Sequence, residues 1–121
     1  MAIRKRIAMH GVHMLVDFFG VAEKKLQDRD ALMNVLHGAL KRSGFRIIKE
    51  SGSHKFKGGG KGVTGFILLA QSHAAFHSYP EYGYMALDIY FCGKCDPNSV
   101  TKEIVKYLAP RKVSRAFYRR G

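Results

Sequence analysis

Apolar and polar positions along this chain change period several times, and each change marks an element. Positions 9–19 alternate imperfectly and are rich in β-branched, aromatic and apolar residues, which predicts a strand. Positions 20–27 break the alternation and read as a connection. Leu32, Leu36 and Leu40 then recur every four residues, with Met33 and Val35 beside them. That single apolar stripe predicts a helix over 28–42. Asp28 and Asp30 are candidate N-caps, Lys41 and Arg42 suit the negative end of the helix dipole, and Gly44 suits the position just past the end.

A second strand is expected to start at Phe45 and to run toward Phe56. The glycine-rich stretch 57–62 reads as a hairpin turn. A phosphate-binding loop would need a Gly-Lys-Ser/Thr opening a helix, and an apolar run follows instead. That run, 63–70, has little polar character and predicts a central strand. Positions 72–79 are again extended, and Pro80 interrupts them. Positions 84–92 form a further strand in which Asp88 stands out in apolar company. Asp96 and Pro97 read as a cap followed by proline at the first helical position. The helix runs to about Leu108, with Val100, Ile104 and Leu108 on one face, and Ala109-Pro110 ends it. Positions 112–118 close the chain as a strand. The order β-α-β-β-β-β-α-β predicts an α+β two-layer sandwich: a mainly antiparallel sheet with two helices on one face, one domain over 1–121. The second sheet face then needs cover, and a homodimer is the expected assembly.

Composition alters this picture in one respect. Lys and Arg number 21 against 9 Asp and Glu, a net charge of +12. The excess sits at the ends (Arg4, Lys5, Arg6; Arg111, Lys112, Arg115, Arg119, Arg120) and around 55–61. Such charge serves either phosphate binding or a solvated, colloidally stable surface. No recognition motif accompanies it, which argues against nucleic acid as the partner. No apolar run approaches membrane-spanning length, and the basic N-terminus lacks the apolar stretch and cleavage site of a signal peptide. Two cysteines give no disulfide framework, and a cytoplasmic protein is the expectation.

Candidate chemistry gathers between Gly62 and Cys95. Ser72 leaves an apolar strand, His73 and His77 follow, and Cys92 and Cys95 close the stretch. Nucleophile, base and thiol are what covalent chemistry needs. Ser72 and His77 are an odd number of residues apart and would face opposite sides of one strand, so a bend must intervene if both serve one site. Folding the chain back at 79–84 places Ser72 opposite Cys92. Each residue also has an ordinary reading: a turn serine, a hydrogen-bonded histidine, a small buried thiol. Cys92 and Cys95 are open to reading as a redox pair, or as half a zinc site with His54, His73 or His77.

These residues, taken with Gly62-Val63-Thr64-Gly65, Gln71-Ser72-His73, Pro80-Glu81-Tyr82-Gly83-Tyr84, Asp88 and Cys92-Gly93, resemble the prokaryotic S-adenosylmethionine decarboxylases. The resemblance is densest from His54 to Gly93 and covers nearly the whole chain. It implies a pyruvoyl-dependent enzyme of spermidine biosynthesis that makes its cofactor from Ser72 and uses no metal. The Ser72 hydroxyl would attack the Gln71 carbonyl, His77 would accept the Cα proton of Ser72, and Thr64 would assist from the position of a family serine. Cleavage would yield fragments 1–71 (the β chain) and 72–121 (the α chain), and the dimer would be one of processed units. The pyruvoyl group would form the Schiff base with the substrate amine, and Cys92 would donate the proton to the product carbon. Phe56 and Tyr79 would flank the adenine, and Glu81 would hold the ribose hydroxyls.

Three positions depart from the family pattern. Gln71 stands where glutamate is usual, Tyr79 replaces a usual tryptophan, and the turn at 58–60 looks one residue longer. The last two touch the substrate pocket, so arginine or ornithine stays open as the substrate of the same chemistry. An unprocessed basic nucleic-acid-binding module is the alternative of another class.

Overall fold

The computed structural model describes residues 11–57, 61–92 and 95–121, apart from the side chains of Lys49 and Glu50. The start of the first expected strand, the turn at 58–60 and the pair Gly93-Lys94 lie outside the described residues. Strand β1 spans Gly11–Phe19, β2 Ile47–Lys55, β3 Val63–Leu69, β4 Ser72–Tyr79, β5 Tyr84–Cys92 and β6 Lys112–Arg120. The order across the sheet is β2-β3-β4-β5-β1-β6, and every neighbouring pair is antiparallel. Helices α1 (Glu23–Gln27), α2 (Arg29–Arg42) and α3 (Pro97–Leu108) complete the two-layer α+β sandwich.

The period-2 patterns explain which face the helices cover. Met14, Val16, Phe18, Val63, Ile67, Leu69, Ala74, Phe76, Met85, Leu87, Ile89 and Phe91 are buried and share the helix side. They meet Leu32, Leu36 and Leu40 from α2 and Val100, Ile104 and Leu108 from α3. Each large side chain so buried contributes about 1.5–3 kcal/mol. The residues between them face the uncovered side: Leu15 and Phe66 are 40% and 42% exposed.

Local chemistry sets the helix ends. Asp28 accepts from the Ala31 N–H, and Asp96 accepts from the N–H groups of Asn98 and Ser99 with Pro97 behind it. Ala109 turns left-handed at φ 47° to stop α3, and Pro110 follows.

Three details differ from the sequence expectation. The connection at 20–27 contains α1, so the described residues form three helices rather than two. Buried Leu26 anchors α1, and its carbonyl accepts from Ser78 Oγ at 2.7 Å. Five residues are too few to display a helical period, which is why the pattern did not reveal it. The closing strand runs to Arg120. The β4–β5 register is also one residue away from the expected one. His73 pairs with Tyr90, so continuing that register sets Cys92 against Gln71, not against Ser72. The 3₁₀ turn Pro80–Tyr82 and left-handed Gly83 take up the odd residue.

Candidate active site

Candidate residues gather at two ends of the sheet, most of them on its uncovered face; Ser72 pairs with buried Leu69 and so starts β4 on the helix side. At one end β3 turns into β4 through Ala70 and Gln71. Gln71 adopts φ 58°, left-handed and unfavourable for a side-chain-bearing residue. The thiol of Cys92 donates to the Gln71 carbonyl oxygen at 3.6 Å and approaches its side-chain oxygen at 3.8 Å. Ser72 follows at the head of β4. Cys95 points elsewhere, donating to the Gly44 carbonyl at 3.3 Å. Burial, and secondarily the neighbouring Cys92, raises the Cys95 thiol above its ordinary value.

Beside this hairpin tip lies a polar cluster. His13 Nε2 donates to Asp88 Oδ2 at 2.8 Å, and His73 Nε2 lies 3.9 Å from the same oxygen. The Tyr90 ring stacks on His73 and meets His13 edge-on, with Arg120 above it at 5.5 Å. A Cβ on Gly11 would fall 2.0 Å from Tyr90 Oη, so glycine there lets the ring lie across β1. Asp88 had stood out in its apolar strand. His13 had given no signal, because its partners lie 60 and 75 positions away. The ligand atoms of His13, His73 and Asp88 lie within 4.8 Å of one another. The 2.8 Å contact is an ordinary charge-assisted hydrogen bond.

At the other end, Thr64 Oγ1 and His77 Nδ1 are hydrogen-bonded at 2.9 Å, which the direct pairing of these residues across β3 and β4 dictates. They line a cleft of about 380 Å³ with Phe56, Gly62, Ser78, Tyr79 and Glu81. The three residues expected to hold a nucleoside therefore share one cleft with the Thr64–His77 pair. A Cβ on Gly62 would sit 2.4 Å from the Ser78 carbonyl, so glycine allows the strands to close there. Tyr79 stacks on Tyr84, and Tyr84 on Phe19. The Tyr84 hydroxyl donates to Asp17 at 2.5 Å, and burial followed by Asp17 pushes it up to about 12. A larger cleft of about 730 Å³, near Lys24, Arg29, Lys55, Lys57 and Lys61, gathers part of the basic excess but neither the serine nor the thiol.

The two ends do not meet within one chain. Strand β4 is unbroken from Ser72 to Tyr79, so the bend that would bring His77 to Ser72 is absent. Five residues of extended chain separate them by roughly 17 Å.

A two-layer α+β sandwich with its polar groups collected on the open face of an antiparallel sheet is thus the class of this molecule. The S-adenosylmethionine decarboxylase family model matches residues 12–121. The chain belongs to that family. An S-adenosylmethionine decarboxylase proenzyme of Persephonella marina is 36% identical over 112 residues, covering 92% of this chain and 82% of that one. One of Methanococcus maripaludis (strain C7) is 34% identical, covering 92% and 89%. The crystal structure of the adenosylmethionine decarboxylase of Aquifex aeolicus VF5 superposes with a TM-score of 0.81 at 31% identity, covering 93% of this chain and 92% of that one. Membership makes this a decarboxylase, a carbon–carbon lyase. The named relatives do not support the arginine, ornithine or nucleic-acid alternatives. No helix among the described residues is long and apolar enough to cross a membrane.

Proposed function

We propose that this chain is a self-processing, pyruvoyl-dependent decarboxylase of S-adenosylmethionine that supplies the aminopropyl donor for spermidine. The observation that carries this reading is the left-handed Gln71, with the Cys92 thiol on its carbonyl, immediately before Ser72. These residues fit the making of a pyruvoyl group: the serine is anchored at a strand head, and the carbonyl it must attack is polarised at an exposed tip. Ser72 Oγ attacks the Gln71 carbonyl carbon, exchanging the C–N bond for an ester C–O bond. Removal of the Ser72 Cα proton then breaks the Cβ–Oγ bond. The carboxylate stays on Gln71 and dehydroalanine on residue 72; water enters there, ammonia leaves, and a ketone remains. Cleavage gives fragments 1–71 and 72–121.

Once formed, the pyruvoyl group supplies the electron sink that decarboxylation of an α-amino acid requires. Cys92 Sγ holds the proton that the α-carbon receives after carbon dioxide leaves. Phe56 and Tyr79 stack on the adenine and attract the sulfonium, and Glu81 takes the ribose hydroxyls. This nucleoside cleft and the His77 proton acceptor lie about 17 Å from Ser72 of the same chain. We therefore assign the working unit to a homodimer in which the open faces pack together, Thr64 and His77 of one copy serving Ser72 of the other. We place it in the cytoplasm, whose reducing conditions suit two free cysteines.

The test is a denaturing gel followed by product analysis. Two fragments are expected from the native chain and one uncut band from Ser72→Ala. Carbon dioxide release should occur with S-adenosylmethionine and not with arginine or ornithine. A chain that stays whole would remove the pyruvoyl reading. Cleavage with turnover of arginine or ornithine would keep the chemistry and replace the substrate.

A further inference from the structure

The cluster of His13, Asp88 and His73 has no part in the chemistry assigned so far, yet it sits one sheet row from Gln71 and Cys92. It faces the same open side as Cys92, and His73 is covalently next to Ser72. The side chains are graded in exposure: His73 at 45%, Asp88 at 31% and His13 at 24%. The innermost imidazole fixes the carboxylate through the 2.8 Å bond. The outermost stands 3.9 Å from that carboxylate, beyond hydrogen-bond length. One amine nitrogen placed above the pair can bridge this gap with two ordinary hydrogen bonds.

The reaction has a need that matches. The substrate's α-amine arrives as an ammonium, which has no lone pair to offer a carbonyl carbon. Something must take a proton from it. Cys92 does not suit, because its assigned role requires that it keep its own proton. A carboxylate beside an imidazole nitrogen suits well: the first compensates the positive charge, the second offers a lone pair to the proton.

Resting on the pyruvoyl reading above, we propose that the substrate's α-ammonium docks between Asp88 Oδ2 and His73 Nε2, and that His73 Nε2 takes one of its protons. The N–H bond breaks, the nitrogen keeps the electron pair, and the imidazole becomes imidazolium. His13 is a positioning residue that holds Asp88. Among the described residues, the charged and titratable neighbours of the pair come from three strands. From β1 there is His13, and from β5 Tyr90 and Cys92. From β6, Tyr118 lies across from His13 and Arg120 lies over Tyr90. The β3 residue facing His73 is Leu68.

Asp88→Asn and His73→Gln test this, each as cut protein. Hydrazide labelling of the 72–121 fragment first establishes the carbonyl; its absence from native protein would overturn the pyruvoyl reading and this proposal with it, whereas the two variants judge the cluster with the carbonyl in place. The rate at which cyanoborohydride fixes S-adenosylmethionine to that fragment is then followed by mass spectrometry against pH. Both variants are expected to be slower by about 100-fold at neutral pH. The deficit should close at alkaline pH, where the substrate brings a free amine of its own. A deficit equal at every pH would overturn the proposal, since a merely structural role gives that result. So would native rates in both variants. Failure of both to cleave would overturn it by placing the cluster in processing. Loss of native trapping to a chelator, restored by a divalent cation, would overturn it in favour of a metal site.

Discussion

Gln71→Gly separates strain from chemistry at the cleavage turn. Gln71 holds φ 58°, a conformation that costs a side-chain-bearing residue about 1–2 kcal/mol. Glycine removes that cost but is disfavoured by about 0.5–1 kcal/mol through the freedom it gains in the unfolded chain. In a Ser72→Ala background, which stays uncut, the net expectation is a gain of about 0.5–1 kcal/mol in urea unfolding. Cleavage responds differently, because the unfolded chain does not enter its barrier. If the strain is released as the ester forms, losing it slows cleavage by about 5- to 30-fold. The assay is the first-order appearance of the two fragments from freshly prepared uncut protein. Gln71→Asn, which tolerates the left-handed region, should fall between. A glycine variant that gains stability yet cleaves as fast as the native chain would refute strain release. One that loses stability would refute the strain itself.

Cys92→Ala removes one weak hydrogen bond from the scissile carbonyl, so cleavage should slow by about tenfold at most; turnover of the cut protein should fall by about 100-fold or more, and equal losses in both rates would contradict the proton-donor role. Ser72→Ala and His77→Ala chains should each stay uncut alone, whereas mixed dimers should cut the His77→Ala chain; a mixture that remains whole would exclude the shared site. Tyr84 ionises near 10 in the unfolded chain and at about 12 in the folded one, through burial and then Asp17. The unfolded state sheds its proton first, so native stability should drop as pH climbs from about 10 to about 12. Tyr84→Phe should flatten that slope in unfolding curves, and an unchanged slope would place the drop elsewhere.

The helices with a full apolar stripe and the strands with a clear alternation were legible in the sequence. Leu32, Leu36 and Leu40 gave α2, and the apolar run 84–92 gave β5, though not which of its faces is buried. Periodicity fails on short elements, so α1 was hidden. Register fails where a turn holds a 3₁₀ segment, so Cys92 was set one row away from its place. Ser72, His77 and Cys92 were legible as candidates from the residues and Thr64 through the family resemblance, and Thr64 meets His77 because two adjacent strands pair directly. The separation of His77 from Ser72 was only half legible: parity set them on opposite faces, but nothing local said that β4 would run straight. His13 stayed silent because its meaning comes from β1 lying beside β5, a pairing between strands more than 60 residues apart in the chain.

The strand order has a further consequence for the proposed cut. Fragment 1–71 owns β1, β2 and β3, and fragment 72–121 owns β4, β5 and β6, yet β1 lies between β5 and β6. The two pieces are interleaved at three seams, β3 with β4, β5 with β1 and β1 with β6. Severing one exposed loop tip therefore loosens nothing while the sheet stands. It changes what happens if the sheet is lost: refolding of each subunit, unimolecular before the cut, becomes an encounter between two fragments, and thermal midpoints depend on protein concentration more steeply than dimerisation alone would make them. The proenzyme can fold, fail and fold again; the finished enzyme, once undone in dilute solution, must find its other half.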